Sequence, residues 1–559
     1  KPAVADVDGD GDGEMFFQQV EKDPAWAHFR KLYALHHDAT FLQGFPALIS
    51  TYGSNAIWES SAVADADGDG IYEIASQGTC SSNCGGASQY ASALFNMIHE
   101  EDGIMRAGWP QKIIPPGMIG YSGTMASAIA NVDGGNDLEF IFVMSNFTNQ
   151  GGSCNYVGRL LAYKADGQLL PGLSQYLPCQ PYAPAAGDID ADGDIEIVVP
   201  VYDRGVYAFR NDGTLIFQLP QSLYYVWRPV TLADIDRNDN GKLELVFLER
   251  LADPPYSMTY LYVMNDDGTI APGWPQPLSY YGSLQQDIPV ADIDGNDDGA
   301  LEIVVKAYDK LYVYNHDGTV VPGWPVTIDT QLESQYIIAI DIDGDGKKEV
   351  FIDNTYRPAS GIYGSVPYPV AFYGFSADGT HLPGFSKTIN TRFNVLTSGD
   401  LDGNGQLDIY AIDEDGWMYL WNFNALPTAE NLAWPMYRQN VRRTGQALTP
   451  PQPPPPDTTP PSAPGTMPAT AVSSSQIDLD WLPATDNVAV GGYRVTAATK
   501  SNFASQFIVP GWDDTDVGNV LSVSVPSLQS HKTYYFRVRA YDTSNNLGPY
   551  GNTASATTL

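Results

Sequence analysis

Short apolar runs alternate with polar turns along most of the chain, and the three- and four-residue spacing of an amphipathic helix is scarce. One stretch shows the recurring order. A lead-in strand at Ile288-Pro-Val-Ala291 runs into an acidic loop, followed by strands at Leu301-Glu-Ile-Val-Val305 and Leu311-Tyr-Val-Tyr314. The turn Asn315-His-Asp-Gly-Thr319 then introduces a last strand containing Pro322-Gly-Trp-Pro325. The Asp-Gly pair returns at residues 166–167, 212–213, 267–268 and 378–379. The closing element returns as Gly44-Phe-Pro46, Gly108-Trp-Pro110, Gly273-Trp-Pro275 and Gly384-Phe385. Proline has no N–H for a central ladder, so this element is expected at the outer edge of a four-stranded sheet whose strands follow sequence order. The pattern predicts an all-β chain.

The loop between the first two strands of each unit carries the candidate chemistry. In Asp341-Ile-Asp-Gly-Asp-Gly-Lys-Lys-Glu349, carboxylates stand at positions 1, 3, 5 and 9, Lys347 offers a backbone carbonyl, and Gly344 and Gly346 admit the sharp turns. Oxygen donors at this spacing suit Ca²⁺, and a strand rather than an EF-hand helix follows. The pattern recurs eight times, at intervals of 46 to 66 residues, which suits a four-stranded propeller blade with variable loops.

The predicted ligands are Asp6, Asp8, Asp10, Asp12 and Glu14; Asp65, Asp67, Asp69, Ile71 and Glu73; Asn131, Asp133, Asp137 and Glu139; and Asp188, Asp190, Asp192, Asp194 and Glu196. The second half adds Asp234, Asp236, Asn238, Asn240, Lys242 and Glu244; Asp292, Asp294, Asn296, Asp298, Ala300 and Glu302; Asp341, Asp343, Asp345, Lys347 and Glu349; and Asp400, Asp402, Asn404, Gln406 and Asp408. Two loops, at Asp234 and Asp292, are two residues longer than the rest. Gly135 and Asn404 replace carboxylates, so those two loops are expected to bind more weakly. A loop that saturates its ion with protein oxygens leaves no open position for a substrate, which favours several structural calcium ions over catalytic ones.

On these repeats the chain resembles the FG-GAP/VCBS family of calcium-stabilised β-propellers, which includes the integrin α-subunit head, over residues 1–445. The segment Trp434-Pro-Met-Tyr-Arg-Gln-Asn-Val-Arg-Arg-Thr-Gly445 looks like the closing signature after a last blade of that family. The resemblance implies eight blades, or seven if a terminal repeat is incomplete. A proline-rich spacer spans residues 446–462, and residues 463–559 resemble a bacterial fibronectin type III domain. In that domain Trp481 sits in the second strand, Tyr493 in the third, and Leu528 precedes Tyr534 at the position expected for a tyrosine corner.

Charge and cysteines refine the picture. The formal charge is −37, yet half of the 66 Asp and Glu lie in the eight loops, so much of the charge is localised ligand. The 29 Lys and Arg form no basic stripe, which argues against nucleic acid, and no apolar run approaches the ~20 residues of a membrane span. Cys80 with Cys84 and Cys154 with Cys179 are the expected disulfides of an extracellular, bacterial-type secreted protein, though four cysteines allow three pairings. A zinc site is the rival reading, without a second closely spaced Cys or His pair to support it. The chain opens at Lys1 inside a repeat and reads as a processed or trimmed secreted protein.

The acidic loops and Asp-Gly turns should share one face, leaving the insertions and the connections between sheets on the other. Those connections hold Tyr52, Trp58, Tyr121, Tyr182, Tyr225, Trp227, Tyr281 and Tyr336 as candidate contacts for glycan or protein, with packing between sheets as the alternative for each. The seven histidines lie in no nucleophile or metal motif, and His36, His316 and His381 adjoin polar turns. The expected function is a non-catalytic binding or adhesion protein for an extracellular glycan or protein. The rivals are a secreted polysaccharide lyase or hydrolase, and a self-associating subunit of a surface layer or filament.

Overall fold

The computed structural model describes residues 3–10, 13–22, 28–51, 61–80, 93–113, 125–147, 154, 156–219, 229–238, 240–253, 256–280, 288–296, 300–307, 309–328, 336–354, 370–389, 393–413, 417–428, 431–433, 436, 439–440, 444, 459–486, 490–542 and 546–559. These residues form strands, turns and one short 3₁₀ turn at Ser505–Phe507. They fall into two compact units, Lys1–Pro450 and Pro451–Leu559.

Among the described residues, the first unit contains eight antiparallel sheets, each made of strands consecutive in sequence and ordered as in sequence. Seven have four strands, and the eighth has three among the described residues. The sixth sheet runs Val290–Ala291, Glu302–Ala307, Lys310–Tyr314, Val326–Thr327. Second strands start at the last acid of the preceding loop, as in Glu14–Lys22, Glu73–Cys80, Glu196–Val201 and Glu349–Asn354; in the eighth sheet, Leu407–Asp413 starts one residue earlier. Glu196–Val201 and Glu302–Ala307 are buried at every position, which explains why they read as continuous Val/Ile runs rather than alternating ones.

Burial on both faces comes from neighbouring sheets. One apolar cluster joins Phe16 and Leu32 of the first sheet to Ile74 and Met97 of the second. Similar clusters join the second to the third, the third to the fourth and the fourth to the fifth, and the fifth, sixth and seventh share one. Ile338 and Phe351 of the seventh then pack with Leu407 and Ile409 of the eighth. Finally Tyr410 and Ile412 of the eighth pack with Met15 of the first, and the Gly13 N–H points at the Leu401 carbonyl at 3.4 Å.

The Gly-Trp-Pro element does more than the outer-edge position expected of it. It forms a turn ahead of the short fourth strand and fastens its sheet to the next one. Trp109 Nε1 donates to the Ala165 carbonyl at 2.8 Å, Trp274 Nε1 to that of His316 at 2.8 Å and Trp324 Nε1 to that of Ala377 at 2.7 Å. Each acceptor belongs to the Asp-Gly turn of the following sheet. Gly323, at φ 93°, must be glycine because a Cβ there would stand 1.9 Å from the Asp378 carbonyl oxygen.

The second unit pairs a sheet of Ala469–Ala471, Ile477–Asp480 and Ser522–Val525 with one of Thr515–Gly518, Val490–Ala498, Thr533–Asp542 and Ala554–Thr557. Trp481 packs on Tyr493 with ring centroids 5.5 Å apart, and Tyr493 Oη accepts the Ala484 N–H at 3.0 Å. Tyr534 Oη accepts the Gln529 N–H at 2.9 Å, the corner read from the sequence.

Candidate metal loops

Each acidic loop is folded by its own carboxylates. The first-position aspartate accepts the fourth-position N–H: Asp6 from Gly9, Asp65 from Gly68, Asp292 from Gly295 and Asp341 from Gly344, at 2.6 to 2.9 Å. Its other oxygen accepts the sixth-position N–H of Gly70, Gly193, Gly346 or Gly405 in the corresponding loop. The turns need left-handed backbone: Gly344 has φ 77° and Gly346 90°, and in the fourth loop Ala191 takes the same conformation at φ 61°.

The last acid ties the loop to the strand. In all eight loops one of its oxygens accepts the N–H of the second residue, from Val7 to Glu14 through Leu401 to Asp408, at 2.7 to 3.0 Å. The partner oxygens of the fully buried Glu139, Glu196 and Asp408 have no hydrogen-bond partner in the protein. Carboxylate oxygens of Asp65, Asp67 and Glu73 lie within 4.8 Å of one another, as do those of Asp6, Asp8 and Glu14, of Asp188, Asp190 and Asp192, and of Asp234, Asp236 and Glu244. Burial pushes Glu73, Glu139, Glu196 and Glu349 up to about 7, Glu244 and Glu302 to about 8 and Asp408 to about 6; neighbouring aspartates push the same way, and the backbone N–H opposes. Converging oxygens with buried, unsatisfied lone pairs fit a hard cation. The carboxylates that the structure brings together in these four clusters could hold one; of the other residues predicted from the sequence, Asp12 and Asp298 lie outside the described residues.

Basic side chains also reach these loops, which the sequence pattern does not foretell. The Arg106 guanidinium donates to both Asp67 Oδ2 and Glu73 Oε1. Lys164 Nζ meets Asp133 at 2.6 Å, and Arg210 bridges Asp190 and Asp192 at 2.9 Å each. His36 Nδ1 lies 3.1 Å from Glu14. A usable signal exists for two of them, since Lys164 and Arg210 stand two residues before an Asp-Gly pair.

The aromatic candidates separate. Tyr336 is buried in the apolar cluster of the seventh and eighth sheets, where it packs, and its N–H bonds Asp353 Oδ1 at 2.7 Å. Half-buried Tyr182 donates its backbone N–H to Pro200. Tyr52, Trp58, Tyr121, Tyr225, Trp227 and Tyr281 lie outside the described residues. Cys154 and Cys179 form a disulfide with Cα atoms 5.9 Å apart. Cys80 ends the strand Glu73–Cys80, and its expected pairing with Cys84 lies outside the described residues.

Residues 294–352, from within the sixth loop into the second strand of the seventh sheet, match the model of the FG-GAP-like repeat. Residues 462–556 match the fibronectin type III model. The second unit carries a fibronectin type III domain. An alpha-amylase of Niallia circulans is 35% identical over 97 residues, which is 17% of this chain and 6% of the amylase. The chain thus spans only a small part of that relative. Among solved structures, the FN5 domain of Drosophila Lar is 23% identical, covering 18% of this chain and 96% of that one, with a TM-score of 0.15. BBS1N in complex with ARL6DN is 11% identical, covering 76% of this chain and 93% of that one, with a TM-score of 0.35. An FG-GAP-like repeat joined to a fibronectin type III domain suits an extracellular binding or adhesion protein.

Proposed function

We propose that the first unit is an eight-bladed, calcium-stabilised propeller, and that the chain is a non-catalytic extracellular protein binding a glycan or another protein. Eight sheets in sequence order, with the eighth packed on the first, support the propeller reading. The observation that carries the calcium reading is the shared loop construction, with one oxygen of the last acid tied to the second residue and its partner buried in Glu139, Glu196 and Asp408. Ca²⁺ would be held by the residues at positions 1, 3, 5, 7 and 9, and also 11 in the two longer loops, and when bound it supplies the positive charge that lets these carboxylates stay ionised out of water. The loop residues themselves fix the exit of the first strand against the start of the second.

Presentation follows from rigidity. Loops at the ends of well-packed strands carry variable sequence at little cost to the core. Glycan-array and pull-down binding in calcium, lost in chelator, is the expected result; binding to no glycan or extracellular protein, beside turnover of a polysaccharide, would overturn this reading. The likeness to an alpha-amylase favours one second reading, a part of a larger secreted carbohydrate-active protein. Activity screening on starch and on acidic polysaccharides separates the two.

A further inference from the structure

The eight loops are not equivalent, and the difference bears on which of them need the ion of the calcium reading above. In the second loop the Arg106 side chain is 14% exposed and the Glu73 side chain is fully buried. Its planar fork takes Asp67 Oδ2 with one nitrogen and Glu73 Oε1 with the other. These are the third- and ninth-position carboxylates, two of the donors a divalent ion would need. Asp65 is meanwhile occupied by the N–H groups of Gly68, Asp69 and Gly70. The second loop thus holds its own positive charge where the ion would sit.

Other loops differ at this point. Lys164 and Arg210 are each about 40% exposed and reach the third-position Asp133 and the third- and fifth-position Asp190 and Asp192 but not the last acid, leaving Glu139 Oε1 and Glu196 Oε1 buried without a partner. In the fifth and sixth sheets the matching turn residues are neutral and bond within their own turns, Asn265 to Thr269 and Asn315 to Thr319. Lys242 goes to Asp266, outside its loop, and Lys348 to the Gly346 carbonyl; with Arg237, Lys348 acts on Asp292 only through space.

We propose that Arg106 is a built-in replacement for the divalent ion of the second loop, which stays folded without metal while loops without a guanidinium on the last acid, such as the fourth and seventh, need it. A guanidinium seated between Asp67 Oδ2 and Glu73 Oε1 repels a divalent ion from the same place, and the arginine is always charged and tethered at high effective concentration.

The test is hydrogen exchange of the full chain in calcium and in chelator, with bound calcium counted by equilibrium dialysis. Chelator is expected to speed exchange in residues 188–196 and 341–349 and to leave residues 65–73 unchanged. Arg106→Met should make residues 65–73 calcium-dependent and add about one bound ion per chain. Arg106→Lys keeps the charge, loses the fork and should fall between. Loss of protection at residues 65–73 of the wild type, alongside the other loops, would overturn the inference while leaving the calcium reading intact. A folded Arg106→Met that binds no additional calcium would overturn it in the same way. A chain that binds no calcium and changes at no loop would instead remove the calcium reading, and this inference with it. If Arg106→Met does not fold, the wild-type comparison decides alone.

Discussion

Replacing Trp324 by alanine tests whether the repeated tryptophan holds one sheet to the next. The indole is buried at 7% exposure, packs on Phe375 with centroids 5.8 Å apart, and donates to the Ala377 carbonyl of the following sheet at 2.7 Å. Truncating a buried Trp to Ala costs about 3–5 kcal/mol through lost burial and the cavity left behind. Trp324→Phe keeps most of the ring and strands the Ala377 carbonyl, at about 1–2 kcal/mol. Trp417 is 69% exposed, and its alanine variant should stay within about 1 kcal/mol of wild type. Urea denaturation followed by circular dichroism gives all three midpoints. A Trp324→Ala shift no larger than that of Trp417→Ala would refute the idea that these side chains carry the seams.

Three other outcomes are expected. Ala191 holds a left-handed conformation at φ 61° that six sister loops give to glycine and the fifth gives to Arg237 at φ 41°, so Ala191→Gly should gain about 1 kcal/mol in the same urea assay. Burial pushes His99 down from 6.5 to about 4, so the unfolded chain binds its proton more readily; stability is full above about pH 6.5 and falls by up to about 3 kcal/mol as pH drops toward 4. His99→Gln should remove that component, read as the difference between the two proteins' melting temperatures from pH 7 to pH 4. Reducing the Cys154–Cys179 bond, which closes a segment of 25 residues, should cost about 3 kcal/mol, seen as a lower midpoint in reductant that Cys154→Ser with Cys179→Ser reproduces.

What the sequence made legible was local. Acid spacing at Asp341 to Glu349, the Asp-Gly turns and the Val/Ile strands are set by residues a few positions apart, so pattern alone predicted the sheets and where the acidic loops fall between their strands. The fasteners were not legible in that way. Trp109, Trp274 and Trp324 find carbonyls 42 to 56 residues onward, and Arg106 finds Glu73 33 residues back. No periodicity encodes a contact that exists only once neighbouring strands and sheets are packed. Tyr336 shows the same limit, because an aromatic in a connection reads alike whether it meets solvent or the core of the next sheet. Even so, a glycine that repeats at Gly108, Gly273 and Gly323 beside Trp-Pro was a sign of close backbone approach.

Scanning calorimetry of the full chain, in millimolar calcium and then in excess chelator, most directly tests the claim that the acidic loops are ion-held fasteners. Each ion present at a hundred times its dissociation constant stabilises by about 2.7 kcal/mol, so losing several should lower the melting temperature of the first unit by many degrees while the fibronectin unit's transition stays in place. Superimposable traces in calcium and chelator would contradict the account.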